Sequence, residues 1–118
     1  MNIKIDLFSD TGTRPSDEMR KFMAEAEVGD EQLFEDPSVN KLTAMAAEIL
    51  GKEEAVYLPS GLMANQISFA VHCNSGDEII MDESAHPIHY EGGATAVISG
   101  ASIRAIEGGK GIFQLEQF

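Results

Sequence analysis

What this sequence lacks excludes or disfavours several classes of protein. Its 118 residues include one cysteine, Cys73, so no internal disulfide can form and a reducing compartment is favoured. No apolar run reaches the length of a membrane-spanning helix, and the N-terminal residues lack the apolar core of a signal peptide. Eight basic residues cannot offset twenty acids at a phosphate backbone, so the net charge of −12 argues against nucleic acid. We therefore expect a cytoplasmic protein with neither a membrane nor a nucleic-acid partner.

Much of the acidic excess lies between residues 25 and 36, which include six acids and no base. Such a cluster is a conceivable cation site, but the spacing does not resemble a calcium-binding loop. A solvated connecting face is the favoured interpretation, and we predict no metal site.

Strand-like and helix-like patterns alternate along most of the chain. The predicted elements, in chain order, are a strand or extended arm at 1–8, a helix at 15–29, a helix at 37–50, a strand at 55–58, a helix at 62–73, a strand at 77–81, a helix at 84–90, short apolar segments at 95–99 and 102–106, and the first turn of a helix at 114–117. This alternation predicts an α/β fold with a mostly parallel sheet. The helix at 62–73 is apolar around most of its circumference, which is typical of a buried helix.

The turn at Ser60-Gly61 is the strongest candidate for a binding site. A strand that turns through Ser-Gly into a helix leaves backbone N–H groups without partners at the positive end of the helix dipole. Such a turn binds anions such as phosphate, and Gly61 would let the anion approach closely. His86 and Glu91 follow and suggest reactive chemistry. The alternative is that Ser60 only caps the helix.

Seven segments of the chain, in order, resemble the low-specificity L-threonine aldolases. The matching segments are 5–15, 28–30, 35–40, 58–66, 76–80, His86 and 91–94. The similarity covers nearly the whole chain with family-like spacing. The opening arm combined with the Pro59-Ser60-Gly61 turn is a specific signature, whereas the turn alone is not.

The resemblance implies a pyridoxal phosphate enzyme with the three-layer α/β/α fold of the fold-type I class. Such an enzyme cleaves β-hydroxy-α-amino acids to glycine and an aldehyde, and acts as a homodimer or homotetramer on a small amino-acid substrate. Residues 1–36 would form an N-terminal arm and first helix, and residues 37–118 the N-terminal part of the cofactor-binding domain. The implied site residues are Ser60, Gly61 and Leu62 on the cofactor phosphate, His86 on the pyridine ring, Glu91 near the substrate hydroxyl for proton transfer, and Ser9 on the substrate carboxylate.

Each implied role has a structural alternative. His86 could be a helix-start residue with a satisfied hydrogen bond, Glu91 an exposed helix acid, and Ser9 a turn former.

The sequence also departs from the family pattern. Leu62 stands where the family has threonine, and the segment 32–35 replaces a stretch that usually carries tyrosine and glycine.

The family's Schiff-base lysine lies beyond Phe118, and none of the lysines present is in a matching setting. We therefore interpret the chain as the N-terminal third of an aldolase, inactive by itself. Two other functions remain open. One is a non-catalytic dimerising or binding module, and the other is a different fold-type I enzyme such as a β-eliminating lyase.

Overall fold

A computed structural model describes residues 5–117 and has the predicted α/β character. The chain forms two compact units, one ending at Tyr57 and the other beginning at Leu58. Its helices and strands are α1 (Asp17–Glu25), α2 (Pro37–Leu50), α3 (Gly61–His72), β1 (Glu78–Asp82), α4 (His86–Tyr90), α5 (Ala94–Ile98) and β2 (Ser102–Ile106), with short 3-10 turns at Asp10–Gly12, Glu31–Leu33 and Leu115–Gln117. The boundary predicted between residues 36 and 37, which would separate the N-terminal arm and first helix from the cofactor-binding domain, stays a prediction about the complete fold.

Capping residues define the helices of the N-terminal unit. The Ser16 hydroxyl accepts a hydrogen bond from the Met19 N–H and so begins α1. Asp36 does the same for α2 through the Val39 N–H at 2.9 Å, and Gly51 ends α2 in the left-handed conformation. The predicted bounds of α2 are thereby confirmed. α1, in contrast, ends at Glu25 rather than near Gly29, because the backbone turns extended at Ala26.

Most apolar side chains of the N-terminal unit are exposed. Among its described residues Ala47 alone is buried, whereas Phe22 on α1 is 67% exposed. The four N-terminal residues of the predicted arm lie outside the described part of the chain, and Ile5–Phe8 adopt no regular secondary structure.

The C-terminal unit is built on two parallel strands. β1 and β2 pair in register from Glu78 with Ser102 to Asp82 with Ile106, and the connection between them carries α4 and α5. α5 packs against both α3 and β2. The buried apolar residues described in this unit are Ala101 and Ile106, while the buried polar residues are Gln66, Asp82, Glu91 and Thr95. Its small core is therefore largely polar.

Two sequence expectations are wrong. No strand forms at 55–58, since no described segment pairs with it. Ser84 does not cap α4, because its N–H and its hydroxyl both donate to the buried Asp82 carboxylate, and Ala85 occupies the cap position without a side-chain hydrogen bond. In α3 the structure buries Gln66 and leaves Leu62, Ile67 and Val71 40–70% exposed, so the burial predicted for this helix stays a prediction about the complete fold.

Among the described helices, none is both long and apolar enough to cross a membrane.

Candidate functional site

His86 and Glu91 form the centre of the candidate site. His86 begins α4, and its Nδ1 lies 2.9 Å from Glu91 Oε1. The two side chains differ sharply in accessibility, since that of His86 is 59% exposed and that of Glu91 is fully buried. The Tyr90 ring lies beside His86, with the two ring centroids 5.0 Å apart. An accessible imidazole is therefore backed by an enclosed carboxylate.

Two amide side chains of α3 complete the surroundings of this carboxylate. The Asn65 amide donates to Glu91 Oε1 at 2.7 Å, and the Gln66 amide donates to Glu91 Oε2. Gln66 itself is 3% exposed, and its amide nitrogen also lies 3.4 Å from the hydroxyl of Thr95 on α5. Glu91 thus bonds to groups from two different helices.

These hydrogen bonds set the ionisation of Glu91. Burial raises the pKa of the Glu91 carboxyl, but hydrogen bonds from Asn65, His86 and Gln66, together with electrostatic attraction to His86, lower it by more. The net pKa lies below the ordinary value of 4.5. Glu91 is therefore a carboxylate at neutral pH despite its burial.

A two-glycine turn places Glu91 in the interior. Gly92 and Gly93 both have left-handed backbones, with φ of 60° and 78°, which residues with a side chain rarely adopt. The turn connects α4 to α5, and the Ala94 N–H donates to the Glu91 carbonyl at 3.0 Å. The glycines therefore allow the carboxylate to face α3 rather than solvent.

The beginning of α3 provides free backbone donors. The Ser60 hydroxyl accepts from the Met63 N–H, and the Ser60 carbonyl accepts from the Ala64 N–H. The N–H groups of Gly61 and Leu62 have no acceptor among the described residues. A Cβ atom built on Gly61 would meet no atom within 4 Å, so the space beside it is open.

The structure brings together part of the predicted set. His86 and Glu91 are in contact, and α3 carries both their amide partners and the Ser60-Gly61-Leu62 turn. At 1.5 Å rise per residue, Asn65 lies about 4.5 Å along the helix axis from Leu62. Ser9 belongs to the N-terminal unit, where its half-buried side chain hydrogen-bonds to Thr11. The alternative of an exposed Glu91 is wrong.

Asn65 and Gln66 were missed as site residues by the sequence reasoning. Both are polar residues in a mainly apolar helix, and an amide at a buried position needs a polar partner. That pattern is the signal that could have identified them. Among residues 5–117, no three His, Cys, Asp or Glu side chains group as metal ligands.

Comparison with known proteins links this geometry to a family. Residues 6–118 match the beta-eliminating lyase family. The low specificity L-threonine aldolase of Escherichia coli K12 is 44% identical over 103 residues, covering 87% of this chain and 31% of the relative. A probable low-specificity L-threonine aldolase of Arabidopsis thaliana is 43% identical over 104 residues, covering 87% of this chain and 29% of the relative. An alanine racemase of Cochliobolus carbonum is 33% identical over 109 residues, covering 92% of this chain and 28% of the relative.

The chain spans less than a third of the length of these relatives. The predicted resemblance to the threonine aldolases is confirmed. Since the match extends over all but the first five residues, this chain belongs to the beta-eliminating lyase family.

Proposed function

We propose that this chain carries the N-terminal part of a pyridoxal phosphate-dependent aldolase that cleaves L-threonine, L-allo-threonine and related β-hydroxy-α-amino acids. The family match and the two threonine aldolase relatives support the reaction class. The complete enzyme would have the three-layer fold of the fold-type I class, with β1 and β2 in its central sheet. The remaining machinery, including the Schiff-base lysine, would come from residues outside this chain.

The observation that carries the proposal is the pair of free N–H groups at Gly61 and Leu62. Together with the positive end of the α3 dipole they suit a phosphate monoester. Gly61 has neither a left-handed backbone nor a close neighbour that would demand glycine. The open space beside Gly61 would let a ligand approach the backbone, and the phosphate end of the cofactor fits the site.

In this proposal His86 packs on the pyridine ring of the cofactor, because its ring is accessible while its Nδ1 is held by Glu91. Glu91 takes part in proton transfer at the substrate hydroxyl, and since its side chain is enclosed it acts through its contact with His86 Nδ1. Bound pyridoxal phosphate supplies an electron sink for the pair released when the Cα–Cβ bond breaks.

Ser9 is proposed to bind the substrate carboxylate through its hydroxyl. Its Oγ already lies 2.8 Å from the Thr11 hydroxyl, so the two hydroxyls are oriented together. We also propose a cytoplasmic homodimer or homotetramer. The single cysteine fits a reducing compartment, and the exposed apolar residues of both units suit burial in an assembly.

A second candidate reaction has specific support. The family is described as beta-eliminating lyases, and one relative is an alanine racemase, so related chains carry other reactions on amino acids. The phosphate turn and the His86–Glu91 contact would suit any of these reactions. The turn would hold the cofactor and the contact would serve proton transfer, whichever bond breaks.

Product analysis with the longer protein that contains this chain distinguishes the reactions. The purified protein is loaded with pyridoxal phosphate and incubated with L-threonine and, separately, L-alanine. Glycine and acetaldehyde in equal amounts are expected for the aldolase. Predominant 2-oxobutanoate and ammonium from L-threonine would instead indicate β-elimination. D-Alanine from L-alanine would indicate racemisation.

Two controls accompany this assay. His86→Ala should weaken cofactor binding and lower turnover, since stacking also fixes the angle of the reacting bond. Residues 1–118 alone should give no glycine above background, because none of their lysines is in the expected setting. No product from the longer protein, together with no cofactor binding, would favour a non-catalytic module.

A further inference from the structure

Gln66 is arranged in an unusual way for a buried amide. Its side chain donates through Nε2 to Glu91, while its carbonyl oxygen Oε1 is buried without a hydrogen-bond partner in the described part of the chain. An unpaired buried carbonyl costs free energy. That cost needs a compensating gain elsewhere in the cluster.

The gain lies in the charge of Glu91. If the amide were reversed, Gln66 Oε1 would face the carboxylate oxygen, and two acceptors would repel each other. A protonated Glu91 would suit the reversed amide, because its O–H could donate to Gln66 Oε1. In the observed arrangement the carboxylate instead meets donors from Asn65, Gln66 and His86. The surroundings are therefore built for the ionised acid.

An ionised Glu91 fixes the proton position on His86. Its Oε1 is an acceptor 2.9 Å from His86 Nδ1, so the ring hydrogen belongs on Nδ1. In the neutral ring Nε2 is then left with a lone pair. The ring is 59% exposed, so this lone pair is accessible while Nδ1 is held against the protein.

We propose that Gln66 is a positioning residue that keeps Glu91 ionised and thereby holds neutral His86 with its proton on Nδ1 and its Nε2 free to exchange a proton with the substrate. The proposal deepens the proposed aldolase function and rests on it for the identity of the substrate. The arrangement of Gln66, Glu91 and His86 itself does not depend on the cofactor.

The groups that face Glu91 come from two elements, and a third supports Gln66. α3 contributes the amides of Asn65 and Gln66, and α4 contributes His86. Behind Gln66, α5 contributes the hydroxyl of Thr95. Within the described residues, His86 is thus the titratable group bonded to Glu91.

The test uses the longer protein labelled with ¹⁵N-histidine and ¹³C-carboxyl glutamate, without cofactor. Spectra of His86→Gln and Glu91→Gln variants assign the two groups. In the wild type, neutral His86 should show a protonated Nδ1 and an unprotonated Nε2. Gln66→Met removes the amide while keeping the length of the side chain. It should raise the pKa of Glu91 and shift His86 towards the opposite tautomer.

The loaded enzyme provides a second measurement. Gln66→Met should lower kcat by roughly tenfold or more with little change in KM, since one hydrogen bond to a charged group is lost. Ser68→Ala is the matched control on α3, because the Ser68 hydroxyl is exposed and bonds only to the Ala64 carbonyl. If Gln66→Met does not fold, Thr95→Val should give smaller changes of the same sign in the NMR measurements.

The outcomes separate this proposal from the proposed function. A proton on Nε2 in the wild type, or an unchanged Glu91 titration in folded Gln66→Met, would overturn the role of Gln66 even if the protein is an aldolase. If His86 has the expected tautomer but the protein lacks aldolase activity, the positioning role of Gln66 is supported and the proposed aldolase substrate is not.

Discussion

Replacing Gly61 with alanine should separate the stability of α3 from its proposed ability to bind phosphate. No atom lies within 4 Å of a Cβ built at this position, and the Gly61 backbone is outside the left-handed region. Alanine is the better helix former, by about 1 kcal/mol in a helix interior. The free energy of unfolding should therefore stay unchanged or rise by up to about 1 kcal/mol.

Cofactor affinity should move in the opposite direction. The new methyl group would occupy the open space beside the Gly61 and Leu62 N–H groups, where the phosphate is proposed to lie. Loss of one hydrogen bond to a charged group costs about 1.5–3 kcal/mol. Since about 1.4 kcal/mol corresponds to a tenfold change, the Kd for pyridoxal phosphate should rise by roughly 10-fold to 100-fold.

Both quantities are measured on the longer protein that contains this chain. Equilibrium titration with pyridoxal phosphate gives the Kd, and urea unfolding of the same samples gives the free energy of unfolding. Gly108→Ala is the matched control, because its Cβ would collide with the Asp82 carboxylate and come within 2.8 Å of the Ile112 carbonyl. That variant should lose stability while its folded fraction binds cofactor normally. Wild-type affinity in Gly61→Ala would show that the phosphate does not lie at this turn.

Three further predictions concern the site and the surface. Leu62→Thr should restore a hydroxyl at the beginning of α3 and tighten cofactor binding by about 1.5–3 kcal/mol at most, with little change in kcat; unchanged affinity in the titration would contradict it. Because the Glu91 pKa is lowered by folding, the stability it contributes is present above the ordinary value of 4.5 and is lost as pH falls through its folded-state pKa. Urea unfolding across this pH range should show a smaller acid loss in Glu91→Gln than in the wild type. Residues 1–118 alone should self-associate in light scattering, since large apolar side chains such as Phe22 and Val71 are about two-thirds exposed, and a monodisperse monomer at high concentration would oppose this.

Local signals in the sequence predicted the helices best. The cap at Asp36, the proline at residue 37 and the left-handed Gly51 act on their immediate neighbours, so α2 could be located without knowledge of the rest of the fold. A strand depends on a partner that is distant in sequence. The strand predicted at 77–81 forms as β1 and pairs with β2, whereas the equally strand-like segment at 55–58 has no partner strand among the described residues.

The candidate site was predictable residue by residue but not as an arrangement. His86 and Glu91 are five residues apart, a spacing that does not place two side chains together on a helix. Their contact depends on the end of α4 at Tyr90 and on the turn through Gly92 and Gly93. The roles of Asn65 and Gln66 depend on the packing of α5 against α3, which no local pattern encodes.

The polar character of the core has a thermodynamic consequence for the C-terminal unit. On unfolding, newly hydrated apolar surface raises the heat capacity, whereas newly hydrated polar surface lowers it. Among its described residues this unit buries two apolar side chains and four polar ones. Its heat-capacity increment per residue should therefore lie below the usual value of about 12–15 cal/mol/K. The curve of stability against temperature should accordingly be flatter, and cooling should destabilise this unit less than it destabilises a domain with an apolar core.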